Sequence, residues 1–252
     1  LTASALVVSL RLHASADAHP YVDPSVIFTA LADPQLSSAL PGSGLLSGGS
    51  IITLSGVNFA NTAELSVQAQ GADGHLVSAP VQFFSTTALI LTMPTAATAG
   101  GVGFHVSLDG QHWFPALSAP DVSLFLYYPV PVPAVLYPSS APAGRALTVR
   151  VAGTNLGGGS GYKCRFGSLE VAAAYEAAAD ELQCALPPQS AIVTYAFALS
   201  LNGIDWVGGG LTFQRFAFSP VDSLAPAAGP LDGGTLVRLS GSSSAGGTHH
   251  TC

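Results

Sequence analysis

Apolar side chains occupy every second position in three runs of the chain, Val8–Leu12, Phe104–Leu108 and Tyr195–Leu201. A period of two places alternate side chains on one face of an extended chain, so each run is predicted to be a β-strand with one buried face. All three runs contain Val-Ser-Leu or Leu-Ser-Leu. The same strand is therefore predicted to recur along the chain.

Two longer segments recur as well. A head reads GGSIITLSG at Gly48–Gly56 and GGTLVRLSG at Gly233–Gly241, with a looser copy at Arg145–Gly153. A tail reads SLDGQHW at Ser107–Trp113 and SLNGIDW at Ser200–Trp206. The two tails lie 93 positions apart (206 − 113). That spacing is too long for a solenoid repeat and fits one small β-domain.

Each tail contains a turn signal, Asp109-Gly110 in the first and Asn202-Gly203 in the second. Gly and Asn accept positive φ, so both pairs are predicted to form two-residue hairpin turns of the primed type. A further β-rich run follows each turn. The Pro-rich segment Pro129–Pro133 is predicted to be a short, stiff junction between domains.

The segment Leu169–Leu182 (LEVAAAYEAAADEL) is rich in Ala and Glu, and its propensity alone favours a helix. Its counterpart in the preceding repeat, Leu76–Leu91, contains Pro80 and many β-branched and aromatic residues, which disfavour a helix. Equivalent repeats share a fold. The prediction is therefore strand, turn and strand in both, with at least seven strands per complete unit.

The first twenty residues allow two interpretations. Ala5–Leu10 is apolar and Ala14-Ser15-Ala16 resembles a signal-peptide cleavage site. Arg11 interrupts the apolar run, however, and the alternation around Val8 matches the tail strands. The end of a preceding repeat is the preferred interpretation. Because residue 1 is not Met and the chain stops at Cys252 inside a recurring pattern, the sequence is interpreted as a piece of a longer protein.

Composition narrows the classes of function. Charged residues make up only 8% of the chain, and the mean hydropathy is +0.47, which argues against disorder. Seven Lys and Arg against fourteen Asp and Glu give a net charge of -7, so a nucleic-acid partner is not expected. No apolar run reaches the roughly 18–20 residues that a membrane helix needs.

Cys164 and Cys184 lie twenty positions apart, each inside an apolar, strand-like run. This layout is typical of a disulfide that joins two strands of a small β-domain. Cys252 follows Gly241 by 11 positions, as Cys164 follows Gly153. Cys252 is therefore predicted to begin another such unit and to be unpaired within this fragment, with a buried free thiol as the alternative.

Residues that carry chemistry are few. His249, His250 and Cys252 suggest a metal site, but a tetrahedral site needs four ligands, so a surface loop is preferred. No catalytic, cofactor-binding or metal-binding residue is assigned. Trp113 and Trp206 are either exposed platforms for stacking sugars or packing aromatics over their own hairpins. Packing is preferred because a large aromatic contributes most when it is buried.

The combined motifs resemble those of the IPT/TIG domain, the immunoglobulin-like module of plexins and fibrocystin-like surface proteins. The motifs are the Gly-Gly head, Cys-x-Phe-Gly at Cys164–Gly167, Cys-x-x-Pro-Pro at Cys184–Pro188 and the Leu-Asn-Gly-x-x-Trp hairpin. The resemblance implies an all-β fold of tandem immunoglobulin-like (E-set) antiparallel sandwiches, with Cys164–Cys184 as the family's disulfide. Val67 and Leu91 occupy the two cysteine positions in the preceding repeat.

The resemblance also divides the chain. Residues 1–33 are the C-terminal part of a preceding repeat, and residues 34–129 are a complete repeat without the disulfide. Residues 130–220 are a complete repeat with it, and residues 221–252 are the N-terminal part of a further repeat.

The function implied is structural rather than enzymatic. We expect a segment of a larger extracellular or cell-surface protein, with a ciliary or flagellar surface suggested by fibrocystin-like arrays. It would form a rod of domains whose partners are neighbouring protein subunits, with no cofactor. A ligand-binding ectodomain of a plexin-like receptor and an accessory module of a carbohydrate-active enzyme are the alternatives.

Overall fold

A computed structural model of the protein describes residues 6–9, 27–115, 125–218 and 221–241. All regular secondary structure in this part of the chain is β-strand, which confirms the all-β prediction. The chain separates into two compact units, Leu1–Tyr128 and Pro129–Cys252. No helix in the described residues is long and apolar enough to cross a membrane.

The first unit contains twelve strands in its described residues. They are β1 (Leu6–Ser9), β2 (Ile27–Ala30), β3 (Gln35–Leu40), β4 (Ser43–Leu45), β5 (Ile51–Val57), β6 (Ser66–Gly71), β7 (Leu76–Ala79), β8 (Val81–Ser85), β9 (Ala88–Thr92), β10 (Gly100–Ser107), β11 (Phe114–Pro115) and β12 (Phe125–Tyr128).

Strands β3 to β12 form a two-sheet sandwich. One sheet has the order β3-β5-β9-β8, and the other has the order β4-β12-β10-β6-β7 with β11 beside β10. Pairing is antiparallel except between β4 and β12. Alternate residues of each sheet face inward and form one core, which includes Ile52 and Leu89 from the first sheet and Phe104 from the second. Strands β1 and β2 pair separately.

The second unit contains ten strands in its described residues. They are β13 (Val132–Tyr137), β14 (Ser140–Pro142), β15 (Leu147–Thr154), β16 (Lys163–Phe166), β17 (Leu169–Glu176), β18 (Glu181–Leu186), β19 (Thr194–Ser200), β20 (Val207–Phe216), β21 (Val221–Ala225) and β22 (Arg238–Gly241).

The Ala-rich segment is a strand, as its counterpart in the first unit predicted. The first half of β17, Leu169–Ala172, pairs with β16, and the second half, Ala173–Glu176, pairs with β18. One strand thus passes from one sheet to the other and joins them in the order β13-β15-β18-β17-β16-β19-β20-β14. In the first unit the same path is divided into β7 and β8 because Pro80 lies between them.

Cys164 and Cys184 form a disulfide with their Cα atoms 6.0 Å apart. Both residues are fully buried, Cys164 on β16 and Cys184 on β18, so the bond crosses the sandwich. Val67 and Leu91, which take the equivalent positions in the first unit, are equally buried within its core. Apolar packing therefore replaces the covalent link there. The last strand pair, β21 and β22, is antiparallel, and all of its residues are exposed.

Candidate interaction surfaces

The Asp109 carboxylate organises the loop between β10 and β11. Its Oδ1 accepts hydrogen bonds from the backbone N–H groups of Gln111 and His112 and from the Ser107 hydroxyl. Its Oδ2 lies 2.6 Å from Nδ1 of His112. The donors around this carboxylate, above all those of His112, hold its pKa well below the usual value, and the same contact raises the pKa of His112.

The loop between β19 and β20 uses the same positions with different chemistry. Oδ1 of Asn202 accepts hydrogen bonds from the N–H groups of Ile204 and Asp205 and from the Ser200 hydroxyl. Its Nδ2 donates to Oδ2 of Asp205, at 2.8 Å. An Asn–Asp pair here therefore replaces the Asp–His pair of the first unit.

The prediction of two-residue turns at Asp109-Gly110 and Asn202-Gly203 is wrong. In register, Val106 pairs with Phe114 and Leu199 with Val207, so seven residues (107–113 and 200–206) lie between the paired positions. Of the four residues in the two pairs, only Gly110 and Gly203 have positive φ. A primed turn would need positive φ at the Asp or Asn as well, whereas here the side chain binds the N–H groups ahead of it.

Both tryptophans end these loops, and both are half-buried. The Arg165 guanidinium lies over the Trp206 ring, 4.4 Å from its centroid. A side chain from β16 therefore covers one face of Trp206. That each tryptophan packs over its own hairpin stays a prediction.

An asparagine that the sequence analysis did not single out fixes the start of each sandwich. Asn58 and Asn155 have φ of 63° and 60°. The amide of Asn58 donates to the carbonyl of Asp33 at 2.9 Å, and the amide of Asn155 donates to that of Val130 at 3.1 Å. Both interactions span 25 positions. The aligned heads carried the signal, since each Asn follows the final Gly of its head by two positions.

The final Gly of each head, Gly56 or Gly153, lies where a larger residue does not fit. A Cβ at Gly56 would overlap the carbonyl oxygen of Gln35, and a Cβ at Gly153 would overlap that of Val132. The first strand of each sandwich approaches too closely for any other residue. Together, the Gly and the Asn two positions later form a junction clamp.

The strands of the first unit are uncharged. Within the described residues, β1 to β12 contain no Asp, Glu, Lys or Arg, and residues 34–128 contain no Lys or Arg at all. The second unit differs, because its strands contain the ion pairs Arg150–Glu181 and Lys163–Glu170. A protein surface normally mixes charges of both signs to remain soluble.

The outer face of the sheet β3-β5-β9-β8 also displays large apolar side chains. Leu40 is 74% exposed, Phe84 71% and Ile51 60%. Inward neighbours of the same strands, such as Leu36, Ile52 and Phe83, belong to or pack against the core. The exposed residues therefore point away from the sandwich and form an apolar surface, which we call the outer sheet face.

A side chain on the last strand of each sandwich secures a loop between strands. Tyr127 donates from its hydroxyl to the carbonyl of Pro94 at 2.6 Å, and burial raises its pKa to about 12. In the second unit the fully buried Arg215 donates to the carbonyls of Pro142 and Pro187, at 2.9 and 3.2 Å. Burial lowers the pKa of this guanidinium.

No cluster of three or more His, Cys, Asp or Glu residues that could hold a metal ion occurs among the residues the structure describes. His249, His250 and Cys252 lie outside those residues.

The family model of the IPT/TIG domain matches residues 34–120. A search of curated protein sequences found no significant match. Among solved structures, the full extracellular region of plexin A4 is similar at 18% identity with a TM-score of 0.49, over 77% of this chain and 16% of that one. The chain thus spans about a sixth of the plexin structure's length.

Two bacterial proteins were matched at lower similarity. The protein SGBP-B from the Bacteroides ovatus mixed-linkage glucan utilization locus is 14% identical with a TM-score of 0.30, over 75% of this chain and 46% of that one. Invasin, a bacterial integrin-binding protein, is 13% identical with a TM-score of 0.29, over 88% of this chain and 48% of that one.

Proposed function

We propose, from the match of residues 34–120 to the family model of the IPT/TIG domain, that the chain is a non-enzymatic structural and interaction segment of an extracellular or cell-surface protein. Residues 130–220 act as a second domain of the same type. Its strand order follows that of the first unit, with β17 in place of β7 and β8. Residues 1–33 and 221–252 belong to the preceding and following repeats, so the domains form a tandem array.

The outer sheet face supports this proposal most directly. Exposed Leu40, Ile51 and Phe84 lie on a sheet with no charged side chain. Burying such a surface removes apolar area from water, at roughly 25 cal/mol per Å², and leaves no charge without a partner. Contact with another uncharged protein surface is therefore favourable. We propose that the partner is a neighbouring subunit that presents the same face in a filament or surface assembly.

The disulfide supports the proposed extracellular or cell-surface location, because such bonds form and persist in oxidising compartments. A ciliary or flagellar surface is our proposal within that setting, on the basis of the resemblance to fibrocystin-like arrays. The organised loops around Asp109 and Asn202 bind their own backbone, which supports a structural rather than a catalytic role for these polar side chains.

Sedimentation velocity of the full chain over a wide range of concentration tests this proposal. Self-association is expected, and Phe84→Lys with Ile51→Lys should abolish it because a buried lysine without a partner is costly. Val135→Lys is the matched control, since Val135 is 55% exposed on the first strand of the second unit. A chain that stays monomeric, or one that the Val135 control disrupts equally, would contradict the proposal.

A further inference from the structure

The outer sheet face of the first unit has a counterpart in the second unit, on the sheet formed by β13, β15, β18 and the second half of β17. Strand pairing aligns the two faces, because Ile52 pairs with Leu91 in the first unit and Val149 pairs with Cys184 in the second. Leu91 takes the position of Cys184, so the positions of one face can be matched to those of the other.

The centre of the face differs most between the two units. Thr53 and Ile90 form the middle pair of the two inner strands, β5 and β9. The equivalent pair in the second unit is Arg150 and Gln183. An uncharged centre in the first unit thus corresponds to a charged centre in the second.

Three further positions differ in the same direction, since Leu40, Ile51 and Ala88 correspond to Tyr137, Thr148 and Glu181. Nη1 of Arg150 lies 3.9 Å from Oε2 of Glu181, and its Cζ lies 5.0 Å from the centroid of the Tyr137 ring. The edge is less distinct, because Val135 is exposed where the first unit has Ser38. The centre of the second face is therefore covered by charged side chains that contact their neighbours.

Phe84 is an additional residue of the first unit. The pairing of β8 with β9 shifts between Phe83 and Ser85, which makes Phe84 the extra residue of a β-bulge. The pairing of β17 with β18 has no such shift, and Glu176 lies opposite Glu181 there. Bulges re-aim side chains at the edges of sheets. The bulge thus presents a ring that is 71% exposed, at a corner that is acidic in the second unit.

Charge decides which surface can cover the outer sheet face. The core of a protein interface is depleted in charged residues, because a buried charge without a partner is costly. The equivalent face of the second unit would bury Arg150, and the other sheet of that unit presents Lys163 and Arg165. The other sheet of the first unit presents Gln68 and His105, whose polar groups would lose water. Among the sheet faces that the structure describes, the outer sheet face of a second copy fits best.

The size of the face sets the strength of the contact. Its four strands are five to seven residues long. With about 3.3 Å per residue and about 4.8 Å between strands, the face measures roughly 20 Å by 19 Å. Two such faces bury roughly 800 Å² in projection, which is less than the area of about 1,200–2,000 Å² in a stable complex. A single contact is therefore weak and reversible.

We propose that the outer sheet face joins two chains and no more, as a two-fold pair centred on Thr53 and Ile90 of each copy. A contact between identical patches uses the face of both copies, so it is closed and cannot propagate. The second unit stays outside the contact because Arg150 and Glu181 keep its face in water. This inference rests on the proposed self-association and adds its stoichiometry, its centre and the reason that one unit carries it.

Sedimentation equilibrium of the full chain, up to high micromolar concentration, measures the mass of the assembly. We expect the mass to rise from 25.4 kDa toward twice that value and to stop there. Thr53→Arg with Ala88→Glu installs the ion pair that the second unit already contains, and it should raise the Kd at least about tenfold. Gln68→Arg is the matched control, since it installs the second unit's Arg165 on the other sheet and should leave the Kd unchanged.

The converse substitutions test whether charge excludes the second unit. Arg150→Thr with Glu181→Ala and Gln183→Ile gives a chain with two uncharged faces, which should form assemblies heavier than two chains. Circular dichroism confirms that this variant is folded, and a folded variant that stops at two chains would overturn the inference. The variant of the first unit decides the question if this one does not fold.

The remaining outcomes separate the pair from the proposed function. Growth of the unmodified chain beyond two copies would overturn the pair and leave the proposed self-association intact. Equal weakening by Gln68→Arg, or an unchanged Kd in the variant with Thr53→Arg, would also overturn the pair, because the centre of the contact would then lie elsewhere. A chain that stays monomeric at every concentration would contradict the proposed function itself.

Discussion

The Asp109 side chain satisfies three donors from Ser107, Gln111 and His112 and also contacts the His112 ring. Each partner of this carboxylate stabilises the charged form, so its lowered pKa and the raised pKa of His112 have one cause. The Asn202 loop keeps the same acceptor atom without the charge.

Asp109→Asn is therefore expected to preserve the loop and to lower the pKa of His112 toward its ordinary value of 6.5. NMR titration of the His112 ring measures this directly. His105, which lies on β10 and whose pKa is lowered by burial, should titrate identically in both proteins. An unchanged His112 titration would contradict the role of Asp109.

The stability of the loop depends on pH because the pKa of Asp109 is lowered and that of His112 is raised. The stability that His112 contributes is fully present below pH 6.5, its ordinary pKa, and is lost as pH rises through its raised pKa. The contribution of Asp109 is present above its ordinary value of 3.8 and is lost as pH falls through its lowered pKa. The contact should therefore be strongest between 3.8 and 6.5.

The junction clamp makes a separate prediction. Asn155→Gly removes the amide that binds Val130 but keeps a residue suited to positive φ, so it should lower the free energy of unfolding of the second unit by about 1 kcal/mol. Asn155→Ala adds left-handed strain of about 1 kcal/mol more. Urea unfolding followed by Trp206 fluorescence in a Trp113→Phe background reports on the second unit alone, and equal stability of both variants would contradict this account.

At the scale of elements, the two units hold their two sheets together in different ways. The disulfide joins β16 to β18 across the second sandwich, whereas Val67 and Leu91 meet the same need by packing in the first. Core positions accept either solution when the surrounding apolar area is sufficient.

Reduction of the disulfide should therefore destabilise only the second unit. For a loop of this length the chain-entropy model gives a loss of about 3 kcal/mol. Unfolding is measured with and without reductant, using Trp206 for the second unit and, in a Trp206→Phe variant, Trp113 for the first. A comparable loss in the first unit would show that the two sandwiches do not unfold independently.

The strands were predictable from sequence where two copies could be compared. At Leu169–Glu176, pairing with β16 and β18 outweighs the helix propensity of alanine. The equivalent segment of the first unit made this predictable, because it contains Pro80. The loops at Asp109 and Asn202 were not predictable from turn statistics, because side-chain hydrogen bonds stabilise a longer loop.

At the scale of the whole chain, charge is distributed unevenly. Residues 34–128 have no Lys or Arg, while the strands of the second unit contain ion pairs. Salt screens interactions between charges, whereas the strength of apolar burial depends on which salt is present. The proposed self-association through the outer sheet face should accordingly respond to salt type rather than to ionic strength.

We expect sodium chloride to leave the sedimentation of the full chain nearly unchanged and sulfate to strengthen association, because sulfate is excluded from protein surface. The double variant, Phe84→Lys with Ile51→Lys, should show no association in either salt. Dissociation of the unmodified chain by sodium chloride alone would indicate that ion pairs, not the outer sheet face, hold the subunits together.

The covalent link across the second sandwich also sets how far the molecule can stretch. A chain pulled from its ends extends by at most about 3.3–3.6 Å per residue, but the 20 positions between Cys164 and Cys184 are bypassed by the bond. The second unit should thus yield about 60 Å less length than the same unit with its disulfide reduced. Under tension the first unit would unravel completely, whereas the second would keep a closed loop that resists further lengthening.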